Sequence, residues 1–262
     1  MRAPPWLDEL PLRPGPPWHA LGTHREPAAR WSRDPDQLEE KRRLLASAHD
    51  TVVVRRAGFA AAEQEVARLV AGADRDGALE DAALAVAEDL CVLAPDGSGR
   101  WRLVAGVVCF PSRWRPADKL GRSVAEIHDP VPAYAEELAV RVDRFLDALR
   151  PGRGAWRRNW FVHDDPALHQ PEAAPGRPGP TKVPEGLWLR SERQSLHALP
   201  ESGAVLFTIR TEQVPLIAVA ERPDVAAAMA AALRSWSPDL VAYRGGSSWH
   251  DEVVVWLDRS RP

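Results

Sequence analysis

The sequence predicts an α+β fold built on a largely antiparallel sheet, and three observations carry that prediction. Helical patterns, strands, a helix pair and then mostly strands follow one another, without the regular strand–helix alternation of a doubly wound parallel sheet. Two strand-like runs, LCVLA at 90–94 and WRLVAGVVCF at 101–110, flank the turn PDGSG at 95–99 and read as a hairpin. Four further segments read as strands in the second half: WRRNWFV (156–162), LWLRSERQSL (187–196), GAVLFTIRT (203–211) and EVVVWLD (252–258).

The elements follow in chain order. Residues 1–18 carry prolines at 4, 5, 11, 14, 16 and 17, an extended arm anchored by Trp6 and Trp18. Asp34 or Asp36 caps a helix running to about Ala48. TVVVRR at 51–56 reads as a short strand, followed by helices near 60–72 and 77–90; in the second, Leu79, Ala83, Val86 and Leu90 share a face. Ser123 and Glu126 form the S-x-x-E pattern of a capping box, so a short helix runs from 123 to His128 until Pro130 and Pro132 stop it. The stripe Leu138, Val142, Phe145 and Leu149 predicts a helix over 132–149. Half of residues 171–186 are Pro or Gly, a long loop, and a last helix fits 223–236. The division is an N-terminal arm and helix, 1–50, packed on a core of 51–262.

Composition narrows the function. The chain has 262 residues and a net charge of −3, which argues against nucleic acid as a partner. Its two cysteines, Cys91 and Cys109, are too few for an iron–sulfur cluster or a disulfide framework. No 18-residue apolar run spans a membrane, and MRAPPWLDEL lacks the apolar core of a secretory signal, so the expected location is cytoplasmic. No G-x-G-x-x-G, P-loop, H-E-x-x-H, C-x-x-C or G-x-S-x-G occurs. Any redox chemistry therefore draws its electrons from elsewhere.

Three polar constellations remain. In KLGRSVAEIHDPVP (119–132), His128 sits where a short helix meets a rigid Pro-x-Pro. It reads either as a metal ligand, since neutral imidazole suits iron, zinc or copper, or as a cation capping the helix C-terminus. In LWLRSERQSLHALP (187–200), Trp188, Arg190, Glu192 and Gln194 share one strand face and Leu187, Leu189, Ser191 and Arg193 the other. A buried Arg193 needs an acid, either a protein carboxylate or an anionic ligand. In WRRNWFVHDDP (156–166), Arg158 and Trp160 share a face, as do Asn159 and Phe161. Aromatics beside arginines either grip a flat anionic cofactor or form cation–π packing on a sheet. His19, His24, His49, His169, His197 and His250 read as surface histidines, with His197 the reserve candidate for iron.

The order and spacing of VAGVVCFPSRW (104–114), DKLGRSVAEIHDPVP (118–132), RRNW (157–160), SERQSLHALP (191–200), SGAVLFTIRT (202–211) and YRG (243–245) resemble the catalytic subunit of haem-dependent oxidative N-demethylases. The resemblance covers residues 100–245 most closely. It implies a PAS-like antiparallel sheet with flanking helices holding haem b. It also implies a monooxygenase-like oxidoreductase that removes a methyl group from a small secondary amine such as dimethylamine, with O2, giving formaldehyde. Electrons come from a separate flavin and iron–sulfur donor. His128 matches the histidine of H-x-P-V-P and is expected to be the axial ligand of the iron. Arg193, Arg158 and Lys119 are expected at the propionates, with Trp160 beside the cofactor. Glu192 is expected to pair with the ammonium of the substrate and to accept its proton. Two departures, His197 after E-R-Q-x-L and Glu212–Gln213 after FTIRT, motivate the alternative of a different amine from a specialised pathway. The other alternative is a PAS-type haem gas or redox sensor, against which the sequence shows no sustained heptads.

Overall fold

The computed structural model describes residues 3–15, 21–72, 77–131, 134, 138–172 and 182–260. One seven-stranded sheet organises them. Its strands are β1 (His24–Glu26), β2 (Val53–Arg55), β3 (Asp89–Pro95), β4 (Trp101–Val107), β5 (Gly154–His163), β6 (Trp188–Ala198) and β7 (Val205–Pro215). They lie in the order β1-β5-β6-β7-β3-β4-β2, and every neighbouring pair is antiparallel. The α+β fold is therefore as the sequence predicts.

Side chains alternate across each strand, so the sheet has two faces with different covers. Over the back face, the helices Pro35–Ser47, Ala60–Ala71 and Leu79–Ala85 bury Leu90, Val92 and Leu206. Further along that face, Trp160, Val162 and Leu189 pack under Leu7, Leu10 and the helices Pro223–Arg234 and His250–Arg259. On the front face, Cys91, Leu93 and Val205 pack against the short helix Val124–Ile127 and the helix Ala139–Ala148. The apolar cover of the front stops there and leaves the middle of β5, β6 and β7 to polar side chains.

Local chemistry sets several boundaries. Asp34 caps the first long helix by accepting from the Gln37 amide at 3.2 Å, with Pro35 in its first turn. Ser123 and Glu126 close the predicted capping box reciprocally, at 2.6 and 3.2 Å, and His128 is the C-cap. At the β1–β5 junction a Cβ on Gly154 would lie 2.5 Å from His197 Nδ1 and 2.7 Å from the Glu26 carbonyl, so only glycine admits this approach.

Three expectations are corrected. EVVVWLD is not a strand: His250–Arg259 is helical, because Trp249, Val253 and Leu257 recur every fourth residue and all bury against Pro223–Arg234. That spacing overrides the strand preference of three valines. The helix over 77–90 ends at Ala85, and Asp89 already opens β3. TVVVRR is helical through Val52 and a strand only over Val53–Arg55. The predicted helix over 132–149 is seen as Ala139–Ala148; residues 132–133, 135–137 and most of the Pro/Gly loop, 173–181, lie outside the described residues. Among the described residues no helix is long and apolar enough to cross a membrane.

Candidate functional site

The register of β5, β6 and β7 builds the site. Arg157 faces Gln194, Asn159 faces Glu192 and Thr211, and Phe161 faces Arg190 and Gln213, as three successive rows on the front face. Beside the first row, the short helix Val124–Ile127 delivers His128. Its Nδ1 donates to the Val124 carbonyl at 2.8 Å. This fixes the tautomer and leaves Nε2 a lone pair with no hydrogen-bond partner among the described residues. The ring lies parallel to Tyr134, centroids 4.5 Å apart. Burial, with the charges of Arg157 and Lys119 adding to it, holds the His128 pKa below its ordinary value, so the imidazole is neutral.

The polar rows carry unanswered charge. Burial lowers the Arg157 pKa and makes its cation costly; its Nε has no partner. Arg190 is fully buried and donates to the carbonyls of Leu168, at 3.0 Å, and Phe110, at 2.6 Å, again with Nε unsatisfied. Arg244 stacks on Phe161 with its guanidinium carbon 4.3 Å from the ring centroid and donates to the Trp160 carbonyl at 3.1 Å. Its Nε is buried and unpartnered, and burial pulls its pKa down to about 10. Thr211 Oγ1 and Gln213 Oε1, on the same face, also lack partners. Buried polar atoms are ordinarily satisfied, so five orphans around a buried carboxylate mark a place where a polar ligand belongs.

That carboxylate is Glu192. It is 6% exposed, and among the described residues its one hydrogen bond is from Gln194 Nε2 to Oε2 at 3.1 Å. Burial raises its pKa above the usual range, opposed by Arg190 and Arg244. Arg190 and Arg244 act on it through the field rather than by contact, and Oε1 is left for another group.

The other expected residues lie elsewhere. Arg158 and Arg193 face each other on the back of the sheet, opposite to Glu192. Arg158 binds Glu9 Oε2 at 2.6 Å and Glu212 Oε2 at 2.6 Å. Arg193 binds Glu26 Oε1 at 2.6 Å and stacks on Trp156 at 4.5 Å. Both find their acids within the protein. Trp160 is a back-face core residue 5.2 Å from Trp236. Lys119 is near His128, but its Nζ donates to the Ile127 carbonyl at 3.0 Å, fastening the helix end that carries the histidine. His197 is buried rather than exposed, on the back face, 3.5 Å from Glu26. Glu212 is also on the back, paired to Arg158, so of the departures noted in the sequence only Gln213 reaches the site.

Arg157, Arg244 and Tyr134 carry roles the sequence reading did not assign. A signal for Arg157 was present: in RRNW consecutive arginines must point to opposite faces, and Arg157 shares its face with Asn159 and Phe161. Arg244 stands in the YRG motif, where spacing alone gives no direction.

The family model for haem-dependent oxidative N-demethylase, alpha subunit-like proteins matches residues 70–254. The chain belongs to that family. The match takes in the whole front-face array, from β3 through His128 and Glu192 to Arg244, and leaves out β1 and the helix Pro35–Ser47.

Proposed function

We propose that this chain is the haem-b-binding catalytic component of an oxygen-dependent oxidoreductase that removes a methyl group from a small secondary amine. The observation that carries the reading is His128: neutral, with Nδ1 committed to a carbonyl and Nε2 unpartnered, beside the uncompensated cation of Arg157. Haem asks a protein for such an axial nitrogen and for cations at its propionates. The residues present fit both demands. Among the described residues no three His, Cys, Asp or Glu side chains converge as a bare ion would need; a porphyrin brings its own equatorial nitrogens, so one histidine suffices.

In this reading His128 holds the iron and Arg157 takes the propionate role expected of Arg158 and Arg193. Lys119 keeps the helix end in place. Bound haem supplies the centre at which O2 is activated. Glu192 binds the substrate ammonium at Oε1 and takes its proton, a task for which a carboxylate made more basic by burial is suited. Overall, the methyl carbon leaves as formaldehyde carrying one oxygen atom of O2, and the other becomes water. Two electrons come from the amine and two from a separate flavin and iron–sulfur donor. The scaffold is PAS-like: the β3–β4 hairpin pairs with the β5–β7 meander, and the connection between β4 and β5 carries His128.

The test is the absorption spectrum of the purified chain with added haem, beside His128→Ala. A sharp Soret band that weakens or shifts in the variant is expected. No haem band in the parent chain overturns the reading, and an unaltered band in the variant moves the iron to another ligand.

A further inference from the structure

Resting on the haem reading of this site, we propose that the amine demethylated here also carries a carboxylate, as an N-methyl amino acid does, with its ammonium on Glu192 and its carboxylate on Arg244. The charges on the front face give the reason. Arg157, Arg190 and Arg244 lie around Glu192, and the other buried carboxylate whose field reaches them, Asp89, is already held by the Cys109 and Phe110 amides, so cations outnumber carboxylates in the array before any substrate enters. A simple dialkylammonium adds a further positive charge to a desolvated site. A zwitterion adds the missing anion with it.

The three arginines are not equivalent. Arg190 already gives Nη1 and Nη2 to two carbonyls. Arg157 stands in the row next to His128, where its charge acts on that imidazole. Arg244 lies on the other side of Glu192, over Phe161, one row further from Arg157. Successive rows on a strand face are about 7 Å apart, so Glu192 and Arg244 bracket a ligand with a charge at each end. Arg244 is also held ready. Its guanidinium lies over Phe161 at 4.3 Å and within 5.9 Å of the Trp236 and Tyr243 rings, and among the described residues only Nη1 is engaged, by the Trp160 carbonyl. A planar guanidinium fixed by aromatic faces is pre-organised for bidentate contact with a carboxylate. Gln213 Oε1, unpartnered on the same row as Phe161, adds an acceptor for a second N–H of the ammonium.

The experiment is a spectral titration of the haem-loaded protein with N-methylglycine and N-methylisobutylamine, which match closely in size and shape, two methyl groups standing in for the carboxylate oxygens. N-methylglycine is expected to shift the haem spectrum with a Kd at least ~10-fold lower, the range of a charge-assisted hydrogen bond. Arg244→Met is expected to keep its haem and erase that ratio, and Arg244→Lys to keep part of it; the lysine variant serves if the methionine one does not fold. Equal or reversed affinities in the parent chain overturn the proposal, as does an Arg244→Met protein that loses haem while the remaining holoprotein keeps the ratio, which assigns Arg244 to a propionate. Absence of any haem band in the parent chain is the separate outcome that sinks the haem reading and this one with it.

Discussion

The two faces of β5 and β6 carry the same residue type under opposite conditions. On the back, Arg158 and Arg193 each meet carboxylates: Glu9 and Glu212 for one, Glu26 for the other. On the front, Arg157, Arg190 and Arg244 are buried near Glu192 and Asp89, neither of which comes within salt-bridge distance of them among the described residues, and each arginine keeps an orphaned Nε. Paired buried charges hold a fold together; unpaired ones cost stability and are retained where a ligand completes them. The adjacent arginines of RRNW thus serve different ends. One ties the N-terminal arm to the sheet, and the other waits at the site.

The largest effect is expected from breaking the back. Glu26 is 3% exposed and links β1 to Arg193 at 2.6 Å and to His197 at 3.5 Å. Glu26→Ala leaves Arg193 with only its stacking on Trp156. We expect a loss of about 2–3 kcal/mol in a urea melt, discounted from the cost of breaking a fully buried pair because Arg193 keeps some solvent. Haem binding should be unchanged. A loss below about 0.5 kcal/mol would remove the structural half of the comparison.

The front should respond with the opposite sign. Arg157→Met removes a buried cation that no carboxylate contacts, so the haem-free protein should be as stable as the parent or up to about 1–2 kcal/mol more stable. Haem affinity should fall at least ~10-fold with the lost charge-assisted partner. Destabilisation of the haem-free protein beyond about 2 kcal/mol would show that Arg157 is structural after all.

Much of this contrast was legible in the sequence, and the illegible part has a physical cause. Period-two alternation alone placed Glu192 and Arg190 on one face and Arg193 on the other. The S-x-x-E capping box and the prolines after it located His128 at a helix end. What alternation does not give is register: whether Arg158 or Arg157 faces Glu192 depends on how β5 slides against β6, which is set by long-range pairing. The acids that satisfy the back-face arginines lie far off in the chain, Glu9 in the arm, Glu26 in β1 and Glu212 in β7, and no local pattern announces them. The same blindness misread EVVVWLD, whose valines favour a strand until a partner helix buries every fourth position.

The smallest effect is one of pH, and it sharpens the front-face half. Burial raises the Glu192 pKa above its unfolded value. The folded haem-free protein therefore holds a proton on this group over a pH range where the unfolded chain has released it. Stability from that proton is full below the unfolded pKa and is lost as pH rises through the folded one. Glu192→Gln keeps an acceptor for Gln194 Nε2 but cannot ionise. The variant should match the parent in the acid range and become progressively more stable than it as pH rises above the ordinary carboxylate range, the gap levelling once pH has passed the raised folded value. Taking the difference between two proteins that share every other titrating group isolates this one. A gap that does not change with pH would mean that Glu192 titrates alike in the folded and unfolded chains, and a parent that gains on the variant as pH rises would mean that Glu192 is ionised and paired to a front-face arginine; either outcome makes the front no more unbalanced than the back.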